Sequence, residues 1–361
     1  MTELQSREKQ NIHALLLLTL NPSRAEEVVP HLASLNQTER EEFLKLADSH
    51  HVILRALTPV QNATLTNGHS ELSSWAAGAI ATEYQRISNA LDYLHRICSE
   101  LEAAGCPVTV MKSLDHWPDL GNDLDFYTAA DERRLVRIMV SKFDAHIEPR
   151  SWGDRLAHKW NFAIPGLREL VEFHVKRLGQ TGEHIRLAQR FLARRMPRQL
   201  NGYTFMVPAP EERIVVATLQ RMYRHFYFRV CDIVNSAAVV ESGTLNYPEL
   251  RHASQQAGIW PGVATYLTIV SDYVKQYRRQ GLQLPQEVIS AARFGGNKTQ
   301  VRARFIRVPL MPQGAELYTR QLTHTALKGD VEGTFRLNLL PPLALAAAVA
   351  YRLTGSDKGV W

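Results

Sequence analysis

Two aspartates stand one residue apart in the segment LGNDLDFYT, which runs from Leu120 to Thr128. In an extended strand successive side chains point to opposite faces, so Asp123 and Asp125 share one face and Leu124 and Phe126 share the other. Two carboxylates at this spacing raise one another's pKa unless a cation neutralises them. The segment therefore predicts a strand with one apolar and one acidic face, and the acidic face indicates either a solvated strand end or a divalent-metal site.

A second segment, ELVEFHVKR at residues 169–177, repeats this alternation. It places Glu172 and His174 on one face and three apolar side chains on the other. If the two strands are neighbours in one sheet, Asp123, Asp125 and Glu172 converge on one patch. Three carboxylates around two Mg²⁺ ions form the arrangement that in-line phosphoryl or nucleotidyl transfer uses. His174 is interpreted as a hydrogen-bonded histidine beside the sheet and not as a metal ligand.

The hydrophobic periodicity changes twice along the chain and predicts an α+β fold, with a small mixed β-sheet between helical N- and C-terminal regions. The predicted regions are helices at 1–104, an α/β core at 105–180 and mainly helices at 181–361. A capping box is predicted at Thr38–Glu41, and Gly105 is expected to end the last N-terminal helix. In the C-terminal region the pattern predicts a hairpin at 200–208 and one strand at 301–309.

The composition is that of an ordinary globular protein of two or three domains, with 361 residues of which 45% are hydrophobic and 22% are charged. Its three cysteines match no metal-ligand spacing and fit a reducing compartment. The apolar run at 337–353 is interrupted by Pro341 and Pro342, so it predicts a C-terminal helix that starts at the prolines and no membrane span. A cytoplasmic protein is the simplest interpretation.

A net charge of +6 and a pI near 9.2 favour polyanionic partners. The arginine-rich segment at 186–198 predicts a helix whose basic face is either solvated or directed at phosphates. Arginines also alternate with aromatic residues at 221–229, a pattern that suits stacking on nucleic-acid bases but is better explained by core packing. The segment GGNKT at 295–299 lacks the glycine spacing of a phosphate loop and is excluded as a nucleotide site.

The order of these motifs resembles that of a known superfamily. Lys112 and Ser113, nine intervening residues and then DLD resemble the signature of the polymerase-beta-like nucleotidyltransferases. More narrowly, VMKS, NDLDFY, VEFHVKR and the downstream LQRMYRHFYFRVCDIV resemble a family of uncharacterised bacterial nucleotidyltransferases, in which a helix ending in an arginine and an aspartate follows. The resemblance covers about residues 101–240, and its specificity comes from the order and spacing of short motifs.

The resemblance implies roles for individual residues. Ser113 and the backbone around it would cradle the triphosphate, because amide groups at a helix start favour anions. Asp123 and Asp125 would bind both metal ions, and Glu172 would hold the catalytic metal and accept the proton of the acceptor. Further groups near the nucleotide would be Lys112, Arg229 and Asp232. The chain departs from the family pattern where Lys112 and Ser113 replace a glycine, which leaves open a degenerate site.

These inferences predict an enzyme that uses Mg²⁺ or Mn²⁺ to move a nucleoside monophosphate from an NTP, such as ATP, to an acceptor, with release of pyrophosphate. The acceptor is left open between RNA, in particular a tRNA end, a small molecule and a protein. A catalytically degenerate protein of the same fold, acting as a scaffold or as a module that binds nucleic acid or another partner, is the alternative. A nuclease that uses the same metals on water is a third possibility.

Overall fold

The computed structural model describes residues 3–66 and 69–354, and its N-terminal region is helical as predicted. The helices are α1 (Glu3–Leu20), α2 (Val29–Ser34), α3 (Gln37–Ser49), α4 (Ile53–Thr66) and α5 (Ser70–Ala103). The predicted capping box lies two residues too late, because Asn36 caps α3 and exchanges hydrogen bonds with Glu39. Gly105 follows α5 with φ +66°, so the predicted glycine stop is confirmed.

A five-stranded sheet follows in the order β1-β2-β5-β4-β3. Its elements are β1 (Val108–Met111), β2 (Asp123–Thr128), α6 (Glu132–Phe143), β3 (His146–Ile147), α7 (Trp152–Leu156), β4 (Lys159–Ala163) and β5 (Leu170–Val175). Strands β2 and β5 are parallel, and the other neighbours are antiparallel. A small mixed sheet with helical flanks is the predicted fold class, which is thereby confirmed.

The sheet has one apolar face, as the alternation predicts. Leu124, Phe126, Val171 and Phe173 are all fully buried, and the rings of Phe126 and Phe173 stack with centroids 4.8 Å apart. Burying each aromatic side chain contributes about 2 kcal/mol. This packing fixes the faces of β2 and β5, and it leaves their acidic residues on the opposite side.

The C-terminal region is mainly helical and carries two small sheets. Its elements are α8 (Ile185–Ala193), β6 (Met196–Leu200), β7 (Tyr203–Val207), α9 (Pro210–Thr218), β8 (Tyr227–Phe228), α10 (Val230–Glu241), α11 (Tyr247–Gln256), α12 (Trp260–Arg278), α13 (Gln286–Ala291), β9 (Gln300–Arg302), β10 (Phe305–Arg307), α14 (Ala315–Leu327), α15 (Val331–Asn338) and α16 (Leu340–Thr354). Helix α1 packs against α10 and α12, so the two helical regions share one core. The exact boundaries of the predicted regions stay a prediction.

The C-terminal region contains two β-hairpins, of which the sequence predicted one. The hairpin predicted at 200–208 is present but begins earlier, since β6 starts at Met196. The single strand predicted at 301–309 is wrong, because the chain turns at Ala303 and Arg304 to form β9 and β10. Both turn residues have positive φ, and the absence of glycine or asparagine there hid the turn. Helix α16 begins beside Pro341, as predicted. Within the part of the chain that the structure describes, no helix combines the length and apolarity needed to cross a membrane.

The arginine-rich segment is solvated at Arg186, which is exposed, but its next arginines form ion pairs. Arg190 of α8 and Arg194, which directly follows α8, contact the carboxylates of Glu211, Glu212 and Glu249 at N to O distances of 2.6 Å in their closest pairs. The basic face of α8 therefore pairs with the acidic first turns of α9 and α11, and these arginines serve packing between helices.

Candidate active site

The acidic residues of β2 and β5 lie side by side. The strand register pairs Asp125 with Glu172 and Tyr127 with His174, and Asp123 lies two residues before Asp125 on the same face. One ligand atom from each of Asp125, Glu172 and His174 lies within 4.8 Å of the others. Carboxylate oxygens and an imidazole nitrogen at this separation could hold a metal ion.

Two lysines enter this cluster from neighbouring strands. Lys112, directly after β1, forms an ion pair with Asp125, and its Nζ lies 3.8 Å from Oε1 of Glu172. Lys159 of β4 places its Nζ 2.5 Å from Oε2 of Glu172 and 3.6 Å from Oδ1 of Asp154. The sequence prediction did not include Lys159, although its alternation on β4 could have placed it on the acidic face.

The lysines and the aspartates affect the carboxylates in opposite directions. Burial acts to raise the pKa of Glu172, but the nearby ammonium of Lys159, then His174 and Lys112, outweigh burial and hold this pKa well below its usual range. Asp123 is exposed at the pocket, yet desolvation of its carboxylate, followed by repulsion from Asp125 and Glu172, raises its pKa to about 6. Glu172 is thus a neutralised anion, whereas Asp123 is an anion that favours an added cation.

Ser113 connects the loop after β1 to the acidic strand. Its hydroxyl oxygen accepts a hydrogen bond from the backbone N–H of Asp125 at 2.8 Å and donates to the carbonyl oxygen of Asp123 at 3.2 Å. The side chain is almost fully buried and does not line the pocket into which the acidic cluster opens. In this structure the Ser113 hydroxyl positions the aspartates, whereas the resemblance implied contact with a triphosphate.

The acidic cluster opens into a pocket of about 250 Å³ that is also lined by arginines of the C-terminal region, called here the basic wall: Arg213, Arg221, Arg224 and Arg229. Arg213 pairs with Asp115 at 2.6 Å, and Arg221 pairs with Asp232 at 2.8 Å. Among the described residues, no carboxylate lies within 4.0 Å of the Arg224 guanidinium, which lines the same wall. The pocket thus carries a guanidinium that is available to an anionic ligand.

The predicted pair Arg229 and Asp232 lies at the start of a helix. The prediction of a helix that ends in these residues is wrong, because Arg229 precedes the first turn of α10 and its backbone N–H donates to Oδ2 of Asp232 at 2.6 Å. The chain before it forms a π-helical turn at Leu219–Arg224 and then the short strand β8. Both residues line the pocket, and within the described ranges the Arg229 guanidinium also has no carboxylate partner.

Three buried or half-buried histidines complete the basic wall, and sequence reasoning did not select them. Burial, followed by nearby positive charge, holds the pKa of His51, His116 and His225 well below the usual value for histidine. Arg229 donates from Nη1 to Nε2 of His51 at 2.6 Å, so a neutral His51 ring carries its proton on Nδ1. The rings of His51 and His116 are in contact, with centroids 5.0 Å apart.

The lowered pKa values of these three histidines predict that the protein loses stability in acid. The unfolded chain protonates them below about pH 6.5 and the native chain does not, so lowering the pH to about 5.5 should reduce the free energy of unfolding by about 1 kcal/mol per histidine. Urea unfolding at several pH values measures this slope. Replacing His116→Gln should remove about one proton from the slope. An unchanged slope in this variant would contradict the assignment.

Comparison with known proteins gives little beyond this geometry. No protein-family model matches the sequence, and no curated protein sequence matches it. Among solved structures, the chain is similar to the crystal structure of an antigenic nucleotidyltransferase-like protein from Paracoccidioides brasiliensis. The two are 15% identical with a TM-score of 0.33, and the alignment covers 58% of this chain and 97% of that chain. At this similarity the neighbour carries no argument about activity.

Proposed function

We propose that the chain is a metal-dependent nucleotidyltransferase that moves a nucleoside monophosphate from an NTP to an acceptor and releases pyrophosphate. The observation that carries the proposal is a pocket lined by both charges. Asp123 and Asp125 of β2 line it, and so do Arg224 and Arg229 of the C-terminal region, which have no carboxylate partner among the described residues. A metal-nucleotide complex also carries both charges, because a divalent cation binds beside the negatively charged phosphates.

The acidic wall fits a hard divalent cation such as Mg²⁺ or Mn²⁺. Asp123 has no cationic side chain within 4.0 Å among the described residues, and desolvation, followed by repulsion from Asp125 and Glu172, raises its pKa to about 6. Asp123 and Asp125 would hold the metal, and Glu172 beside Asp125 completes the cluster. When bound, the metal would neutralise charge on the transferred phosphoryl group.

The remaining residues bind and orient the substrate. Arg224 and Arg229 would bind phosphate oxygens, because a guanidinium forms two parallel hydrogen bonds to such groups. His51 would keep Arg229 directed into the pocket through the hydrogen bond between them. Asp232 holds Arg221 and the start of α10, so it supports the basic wall from behind.

The basic wall gives a testable prediction about affinity. Replacing Arg224→Gln should weaken NTP binding about 10- to 100-fold, because a charge-assisted hydrogen bond to phosphate is lost. The variant should unfold at the wild-type temperature, since Arg224 has no carboxylate partner within the described ranges. Titration of a fluorescent NTP analogue measures the affinity. Arg137→Gln on the exposed face of α6 is the matched control, and equal affinity in both variants would rule out phosphate contact by Arg224.

A second candidate function is a binding module without turnover. The observation that favours it is the internal neutralisation of the acids, because Lys112 pairs with Asp125 and Lys159 pairs with Glu172. Ser113 is also fully engaged by the backbone of β2. Such a protein would bind a nucleotide or a nucleic-acid phosphate on the arginine wall and release no pyrophosphate.

One assay separates these candidates. The intact chain is incubated with Mg²⁺ or Mn²⁺, each α-labelled NTP, and RNA, small-molecule and protein acceptors drawn from cell extract. Pyrophosphate release together with label on an acceptor supports transfer. Nucleotide binding without either supports the binding module. RNA cleavage that needs no NTP would instead indicate a nuclease.

A further inference from the structure

Lys112 occupies a backbone conformation that favours glycine. Its φ is +47° and its ψ is −52°, and it directly follows Met111, which pairs with Asp125 in the sheet. A residue with a side chain is strained in this conformation, and a favourable contact of the side chain can offset the strain. That contact is the ion pair with Asp125, and Glu172 lies 3.8 Å from the same ammonium.

Glu172 has both carboxylate oxygens engaged. Oε2 lies 2.5 Å from Nζ of Lys159, and Oε1 lies 2.7 Å from Nε2 of His174. Lys159 and His174 are opposite one another in the register of β4 and β5, and both are buried. The backbone therefore fixes these partners beside Glu172, and a metal bound by Glu172 would have to displace them.

Asp123 and Asp125 differ from Glu172 in this respect. Asp123 is exposed to the pocket and has no cationic partner within 4.0 Å among the described residues. Asp125 contacts Lys112 through Oδ1, and the same oxygen is its nearest atom to Nε2 of His174, so its Oδ2 is the oxygen farther from both partners. The oxygens that remain for a cation are thus those on the β2 side of the cluster.

The charge balance points the same way. Four carboxylates, of Asp123, Asp125, Asp154 and Glu172, face the two ammonium groups of Lys112 and Lys159, which leaves two negative charges uncompensated. One divalent cation neutralises those charges, whereas two cations would leave a positive excess in a partly buried site, which is unfavourable.

We propose that the site binds a single divalent cation between Asp123 and Asp125, and that the Lys112 ammonium is a built-in second cation. The inference rests on the proposed function, because it assigns the charges that would surround the phosphates of the NTP. Lys112 would then contact a phosphate oxygen directly, at the position where a second metal would otherwise lie. Glu172 is a positioning residue that holds Lys112, Lys159 and His174 in place.

The test is the number of Mn²⁺ ions bound per chain without nucleotide, measured from the electron paramagnetic resonance signal of free Mn²⁺. The wild-type chain should bind one ion. Lys112→Gly removes the ammonium and suits the backbone conformation, so it should bind two. Lys112→Met should also bind two, and it keeps a side chain of similar length if the glycine variant folds poorly. Lys142→Met, on the exposed face of α6 beside Glu100, should bind one.

The outcomes separate the inference from the proposed function. Two ions in the wild-type chain, or one in both folded Lys112 variants, would overturn the inference and leave nucleotidyl transfer standing. One ion in the wild type and two in the variants, without label transfer to any acceptor, would support the inference and overturn the transferase. No Mn²⁺ bound by any variant would overturn the inference, and label transfer in the presence of NTP would then decide the proposed function by itself.

Discussion

Replacing Asp123→Asn should reduce nucleotidyl transfer about 1,000-fold with little change in stability. Asp123 is exposed to the pocket and has no ion-pair partner in the described ranges, so the fold loses no internal contact of its carboxylate. The proposed metal site, in contrast, loses one of the two carboxylates that would hold the cation. The initial rate of pyrophosphate release with an α-labelled NTP measures the first effect, and the thermal unfolding midpoint measures the second.

Asp144→Asn is the matched control for this prediction. Asp144 is exposed at the end of α6 in a left-handed conformation that asparagine also adopts. The control should transfer label at the wild-type rate. If Asp123→Asn transferred label equally well, the acidic wall would have no part in the reaction and the proposed function would be wrong.

Replacing Lys159→Met should lower the free energy of unfolding by about 3 kcal/mol, because removal of one partner leaves a buried carboxylate poorly compensated. Lys159 is only 6% exposed and contacts both Glu172 and Asp154. Methionine fills a similar volume, so loss of packing should add little. Urea unfolding at neutral pH measures the difference.

The double variant Lys159→Met and Glu172→Gln distinguishes charge from packing. With both charges removed, most of the lost stability should return, although Asp154 still lacks its lysine. If the double variant were as unstable as Lys159→Met alone, the cost would lie in packing and not in the unpaired carboxylate. In that case Glu172 would not depend on Lys159 for its charged state.

The strands that carry the acids were predictable because their signal is local. Alternation with period two separates Asp123 and Asp125 from the apolar side chains of β2, and it separates Glu172 from those of β5. Burial of the apolar faces against one core then leaves the acidic faces on one side of the sheet. The predicted N-cap of α3 was wrong, because both Asn36 and Thr38 are residue types that cap helices and the structure uses Asn36.

The partners of these acids were not predictable in the same way. Lys159 reaches Glu172 because β4 pairs with β5, and the sequence of β4 alone does not specify its neighbour. Arg224 and Arg229 reach the pocket through a π-helical turn and a short strand that the helical pattern did not indicate. His51 approaches Arg229 across 178 positions of sequence.

The sequence by itself determined which residues form the acidic strands and which face of each strand is polar, since both follow from the geometry of one extended segment. Only the tertiary structure decided how the charges on that face are balanced. Electrostatic energy depends on distances between groups that the chain brings together from different strands and loops. The surroundings of the carboxylates therefore depend on residues that only the fold brings together: Lys112, Lys159, Arg224, Arg229 and the buried His51. The carboxylates themselves were recognisable from the sequence.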